Sequence, residues 1–375
     1  RRGFGGTLMG VAALAAAPQA RAQAPQAAGA INIATIGEPG PLDPTLVTSD
    51  LISIITQHIF ETLYTFDGSW QIRPLQAEGM PAVSEAAKVY SFKLRSGVHF
   101  HDGSPMGAKD VVASLQRWLE ISPRGKQVAP YVDTLAEVGP LEVKLTLKRP
   151  YAPLLALLAM NNGAAAIMPA AQAATREMLK TYTGTGPYRF AEHKPDQYIR
   201  LARFDAYASP AGKADGYAGE RRALIGELRF VPVPNPTTRV DGVLAGQYQF
   251  ADSLPAEMLA RLHGHSQVAP ITVKPFGFPL MIFNNKTGPL ANPLLRQAAQ
   301  AALSCSDMLA AAFGDSSNDA AIGSIYTQAT PYFDAPPKGA YNAADAKRAA
   351  ALLKQAGYAR QPIRIMTSQQ YDFLY

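Results

Sequence analysis

The chain has 375 residues, 47% of them hydrophobic and 17% charged, with a formal net charge of +6. That balance excludes a disordered chain, and the length exceeds what one hydrophobic core usually organises, so two or more lobes are expected. The single cysteine, Cys305, excludes an intrachain disulfide, and no basic run with interleaved aromatics marks a nucleic-acid surface.

The first residues, "RRGFGGTLMGVAALAAAPQARAQA", combine a basic start, an apolar middle from Thr7 to Ala17 and small residues spaced as Ala20-Arg21-Ala22. This is the layout of a secretory signal, and its apolar run is too short for a membrane anchor. Cleavage is expected near Ala22, after residues 1–22, and the Arg1-Arg2-Gly3-Phe4 start hints at twin-arginine export. Loss of residues 1–22 removes three arginines and no acid, which lowers the charge from +6 to +3. With no cysteine after the signal to carry a lipid, a soluble protein of a Gram-negative periplasm is expected.

Past a short leader over 23–30, "INIATI" reads as a strand. "GEPGPLDP" is a turn. In "SDLISIITQHIFETLY", Leu51, Ile54, Ile55, His58, Ile59 and Leu63 recur at helical spacing. On that stripe His58 is expected to be a packed histidine, not a ligand. "VYSFKLRSGV" sets Tyr90, Phe92 and Leu94 against Ser91, Lys93 and Arg95, the alternation of a half-buried strand. His99, His101 and Asp102 follow, a pair of imidazoles on one face of an extended segment beside a carboxylate. Two histidines are too few for a tight metal site, which takes three or four ligands. A helix then carries Val111, Val112, Leu115, Trp118 and Leu119 on one side, and Gly107 stands at its N-cap three residues before Asp110, the spacing of a capping box.

Further along, "LEVKLTLKRP" alternates as a strand. "YAPLLALLAM" is an apolar run too short for a membrane, and "GTGPYRF" turns on glycines into a strand. "RFVPVPNPTTRV" reads as a strand leading into a helix. Asn292-Pro293 opens one later helix, and Asn342, three residues before Asp345, opens another that Gly357 ends. With no internal repeat, this mixture gives the fold class α/β (mixed α+β).

No nucleophile elbow, phosphate loop, dinucleotide fingerprint, zinc-helix motif or C-x-x-C occurs. Cys305 sits in an alanine-rich stretch and is expected to be buried in a core, and His263 and His265 are flanked by loop formers and expected to be solvated. The residues therefore indicate no catalytic site, no metal and no cofactor.

"LRSGVHFHDGSPMGAKDVVASLQRW" resembles the signature segment of the family 5 extracellular solute-binding proteins, the peptide, dipeptide and nickel receptors of ABC importers. In the same order follow or precede "EPGPLDP", "IFETLYTFDGSWQIRPLQAEG", "TLKRPYAPLLALLA", "GTGPYRF", "VPNPTTRVDGVLAGQYQF", "FNNKTGPLANPLLRQAAQAAL" and "AKRAAALLKQAGY", so the likeness covers nearly all of 31–375. Gly107 replaces the usual threonine and "AALSCSDML" a common acid-arginine pattern, while family members are considerably longer.

The resemblance implies a two-lobed receptor with an extra subdomain, closing on a small peptide or polar solute and then docking on a membrane permease, as a monomer. It implies a first lobe at 31–60 and 165–268, the subdomain at 61–164, and a second, truncated lobe over 269–375. The His-Asp-Gly turn becomes a structural corner. It also implies a ligand site at Glu38 and Pro39, Tyr131, Phe276, Phe278 and Asn284, and Gln370 and Tyr371; core packing is the competing reading for Phe276 and Phe278. Peptide-binding relatives commonly hold the peptide carboxylate with an arginine about where Gln370 stands, so a modified or longer peptide, or a polar amide- or hydroxyl-bearing solute, is expected in place of a free dipeptide. The rival classes are an exported chaperone-like or structural protein and, less favoured by the missing motifs, an exported hydrolase.

Overall fold

The computed structural model of the chain describes residues 29–273, 277, 279–313, 320–328, 330–337 and 341–367. The expected signal segment, most of the leader, and Phe276, Phe278, Gln370 and Tyr371 lie outside the described residues.

In chain order the strands are β1 (Ala30–Thr35), β2 (Tyr64–Phe66), β3 (Ile72–Pro74), β4 (Ala82–Ser84), β5 (Val89–Lys93), β6 (Val132–Gly139), β7 (Glu142–Leu147), β8 (Tyr188–Lys194), β9 (Tyr198–Arg203), β10 (Glu227–Pro232) and β11 (Phe250–Ala251). The helices are α1 (Asp50–Thr56), α2 (Ala108–Ile121), α3 (Gly125–Val128), α4 (Leu154–Ala159), α5 (Ala170–Ala173), α6 (Pro236–Leu244), α7 (Leu259–Leu262), α8 (Pro293–Ala302), α9 (Cys305–Phe313) and α10 (Ala346–Gln355). The strands form a five-stranded sheet of order β11-β1-β10-β9-β8, a four-stranded sheet of order β4-β5-β7-β6, and the β2-β3 pair. None of the described helices is long and apolar enough to cross a membrane.

Two cores result. Around the four-stranded sheet, the alternation of β5 buries Tyr90, Phe92 and Leu94 against Val111, Leu115 and Trp118 of α2 and against α4. The start of α2 is as the spacing predicts: Asp110 Oδ2 accepts from Gly107 N at 3.0 Å, returning the helix's first carboxylate to an unpaired donor. Its far end is pinned by Trp118 Nε1 and Ser122 Oγ, both donating to Gly163 O at 2.8 Å. Around the five-stranded sheet, Ile33, Ile199, Leu201, Leu228 and Phe230 pack with Ile55, Ile59 and Met168.

Between α2 and the loop before α1 runs the most deeply buried ion pair among the described residues. Arg117 Nη2 lies 2.6 Å from Asp43 Oδ2, with both side chains fully buried. Arg117 also donates to Thr175 O and Glu177 O, and Asp43 accepts from Thr45 N, Leu46 N and Leu179 N. Every charged atom of the pair is thereby satisfied, the condition under which such a pair is tolerated in an interior.

Three expectations are corrected. The helix expected to run to Leu63 stops at Thr56, because His58 O and Ile59 O are taken by Tyr188 N and Gly186 N from the "GTGPY" segment and are not left to continue a helical ladder. The N-cap of α10 is Asp345, three residues after Asn342: its Oδ1 accepts from Arg348 N at 2.9 Å, while Asn342, at φ +53, bonds Ser306 instead. Cys305 is half-buried at the first turn of α9 and not a core residue. Burial, with the thiol as a hydrogen-bond partner, pushes the Tyr341 hydroxyl up to about 12.

Candidate functional site

β1 runs parallel to both its neighbours, with Thr35 opposite Pro232 of β10 and Ala34 opposite Ala251 of β11. Three strands therefore end at one edge, and ligands of open sheets sit beyond such carboxyl ends. The loops leaving that edge are 36–44, 233–235 and 252–255.

The edge is stiffly built. The buried Thr35 hydroxyl shares its proton between Gly37 O at 3.1 Å and Val231 O at 3.2 Å. Asn235 caps α6 by accepting from Thr238 N at 3.0 Å, so the helix starts at the edge itself. From its first turn Arg239 reaches inward: Nη1 donates to Val233 O at 2.7 Å and Pro234 O at 2.9 Å, and Nη2 to Ser253 O at 2.8 Å. One buried guanidinium thus ties the ends of β10 and β11 together.

Glu38 lies on the first of these loops, exposed, where it is drawn onto the β8–β9 turn. Its Oε1 is 2.6 Å from His193 Nε2 and its Oε2 accepts from Asp196 N at 3.2 Å. Pro39 is buried beside it. Asp252, at the end of β11, is held above the usual carboxylate range by burial, and Asp50 adds to that, while hydrogen bonds from Ser253 and the Arg239 charge oppose it. The edge presents the Glu38 and Asp252 carboxylates, the His193 imidazole paired with Glu38, and backbone groups, which are hydrogen-bonding partners for a polar solute.

Of the other expected site residues, Tyr131 lies with the four-stranded sheet, its ring 4.2 Å from that of Tyr151 and under the Arg149 guanidinium at 4.6 Å. Asn284 closes its own turn, Oδ1 accepting from Lys286 N at 3.1 Å and Thr287 N at 3.3 Å. No described hydrogen bond, ion pair or ring contact joins either residue to Glu38. His193, Arg239 and Asp252 were not singled out in the sequence.

The histidine pair is a corner. His99 is exposed and reaches only Gly97 O, at 3.2 Å. His101 faces the glycine turn: Gly184 N donates to Nδ1 at 3.3 Å and Nε2 donates to Gly186 O at 2.9 Å, which fixes a neutral tautomer. Phe204 meets its ring edge-on at 5.0 Å, and burial lowers its pKa to about 4. The glycines are required: a Cβ on Gly184 would lie 2.1 Å from Ile59 O, and one on Gly186 2.4 Å from His58 O. His58 itself packs between Tyr188 and Phe230, and burial, aided by the Arg221 charge, lowers it to about 4. Among the described residues no group of three or more His, Cys, Asp or Glu side chains is arranged to hold a metal.

Comparison with known proteins identifies the relatives. The family model described as bacterial extracellular solute-binding proteins, family 5 middle, matches residues 71–374. A probable peptide ABC transporter periplasmic-binding protein of Sinorhizobium fredii is 24% identical over 335 residues, covering 88% of this chain and 63% of the relative. The glutathione-binding protein GsiB of an Escherichia coli strain is 25% identical over 352 residues, covering 93% and 65%. The chain thus spans less than two thirds of the length of these two relatives. Among solved structures, the binding protein AgaA of A. tumefaciens R10, in complex with agropinic acid, superposes with a TM-score of 0.75 at 25% identity, covering 92% of this chain and 68% of the other. The Helicobacter pylori protein DppA, in complex with the peptide STSA, superposes with 0.70 at 23% identity, covering 88% and 66%, and adds support for the fold.

Proposed function

Because the chain belongs to the family 5 bacterial extracellular solute-binding proteins, we propose that it is the binding component of an ABC importer, capturing a small peptide or peptide-like polar solute in the periplasm. The observation that carries this reading is the family match over residues 71–374. The rigid carboxyl edge of the five-stranded sheet, with Glu38 and Asp252 on its loops, supports it as one wall of the ligand site. Family members bind solutes and are not enzymes, so capture here makes and breaks no bond.

On this reading the lobes divide at 31–60 with 165–268, 61–164, and 269–375. The ligand closes them only by as much as it favours the closed form over the open one. The loaded monomer then docks on an inner-membrane permease. Glu38, Pro39, Tyr131, Phe276, Phe278, Asn284, Gln370 and Tyr371 are the proposed lining, and Gln370 favours a neutral polar group over a free carboxylate. A thermal-shift screen of the full-length protein with peptides and polar solutes tests the function, since a ligand of the folded state raises Tm. No shift with any of them would favour a chaperone-like or structural role.

A further inference from the structure

The seam between the two cores encloses a recess of about 30 Å³, lined among others by Thr56 at the end of α1, Phe60, Glu61, Thr62, Thr65 and Arg221. Thr56 is 1% exposed, and its Oγ1 is buried with no hydrogen-bond partner. A threonine hydroxyl in a helix can turn back to the carbonyl one turn earlier; this one makes no such bond.

A polar node also lines the recess. Glu61, 2% exposed, accepts from Thr185 Oγ1 at 3.0 Å, Tyr207 OH at 2.7 Å, Arg221 Nη1 at 3.0 Å and Gln76 Nε2. The carboxylate is therefore already neutralised, and the guanidinium beside it argues against a cation in the recess. An apolar guest is excluded by the buried hydroxyl, which loses its hydration without repayment. A water needs roughly 10–15 Å³ of such space and between two and four polar partners, so the recess has room for one.

We propose that the recess is a built site for one ordered water, bonded to Thr56 Oγ1 and to the Arg221 guanidinium, which ties α1 to the Glu61 node. Arg221 has the capacity, since it carries five N–H groups and two of its nitrogens serve Glu61 Oε1 and Tyr217 O.

The test is a high-resolution crystal structure of the wild-type chain, paired with melting of Thr56→Val and Thr56→Ser. The expected result is a water within hydrogen-bond distance of Thr56 Oγ1, a lower Tm for Thr56→Val, which keeps the shape and removes the hydroxyl, and retention of the water in Thr56→Ser. A dry recess or a metal ion in it would overturn the proposal. So would an unchanged or raised Tm for Thr56→Val, because deleting a hydroxyl that has no partner relieves a cost.

Discussion

Replacing Arg117 with methionine removes a guanidinium that is fully buried against an equally buried carboxylate. Methionine fills much of the same volume, so the loss is electrostatic more than steric. Asp43 keeps its bonds from Thr45 N, Leu46 N and Leu179 N but loses the cation 2.6 Å away. Breaking one side of a buried pair costs about 3–5 kcal/mol, whereas an exposed pair contributes about 0–1 kcal/mol. Urea unfolding of Arg117→Met against wild type should therefore show a loss in the upper range. Adding Asp43→Asn, which removes the stranded charge and keeps an oxygen for Thr45 N and Leu46 N though not for Leu179 N, should recover part of it. A loss below about 1 kcal/mol for the single variant would show that the pair is hydrated, and the reasoning would fail.

His101→Ala loses two hydrogen bonds and a ring contact, a cost of roughly 1–2 kcal/mol, while adding His99→Ala changes little; the pair leaves ligand affinity unaltered in calorimetry, and loss of binding would restore the histidines to the site. Gly186→Ala drives a Cβ into His58 O and should cost roughly 1–3 kcal/mol or more, read by the same unfolding curve; a neutral result would mean the turn is loosely held. The folded pKa values of His58 and His101 lie below the unfolded one, at about 4 against 6.5. Their uncharged forms therefore add stability that is present above pH 6.5 and lost as pH falls towards 4; a midpoint in urea that does not drop over that window would contradict their burial. N-terminal sequencing of protein recovered from the periplasm should begin near Gln23, and Arg2 intact on soluble, active protein would remove the signal.

What could be read from the sequence is what short-range pattern encodes. β5 and α2 emerge from periods of two and of about four because each buries one face, and the Gly107–Asp110 spacing places the helix start. The end of α1 could not be read, since it is decided by a segment well over a hundred residues away that claims His58 O and Ile59 O. Asn342 fails as a cap for a similar reason: its side chain donates to Ser306, on another helix. Glu38 was legible as a loop acid through its family resemblance, but its partner His193 was not, because nothing local links residues 155 apart. The Glu61 node draws its members from five separate stretches of chain, and each alone reads as an ordinary polar residue.

The central claim is that the protein captures a solute, and calorimetric titration of the full-length mature protein tests it most directly. The panel comprises free dipeptides, longer and amide-capped peptides, and hydroxyl-bearing polar solutes, each also run on Gln370→Ala. The account predicts saturable one-to-one binding of a capped or longer peptide or a polar solute, tighter than any free dipeptide and weakened by Gln370→Ala. Tight binding of several unmodified dipeptides, unaffected by that substitution, would contradict the ligand assignment, and heat from none of the panel would contradict the claim itself.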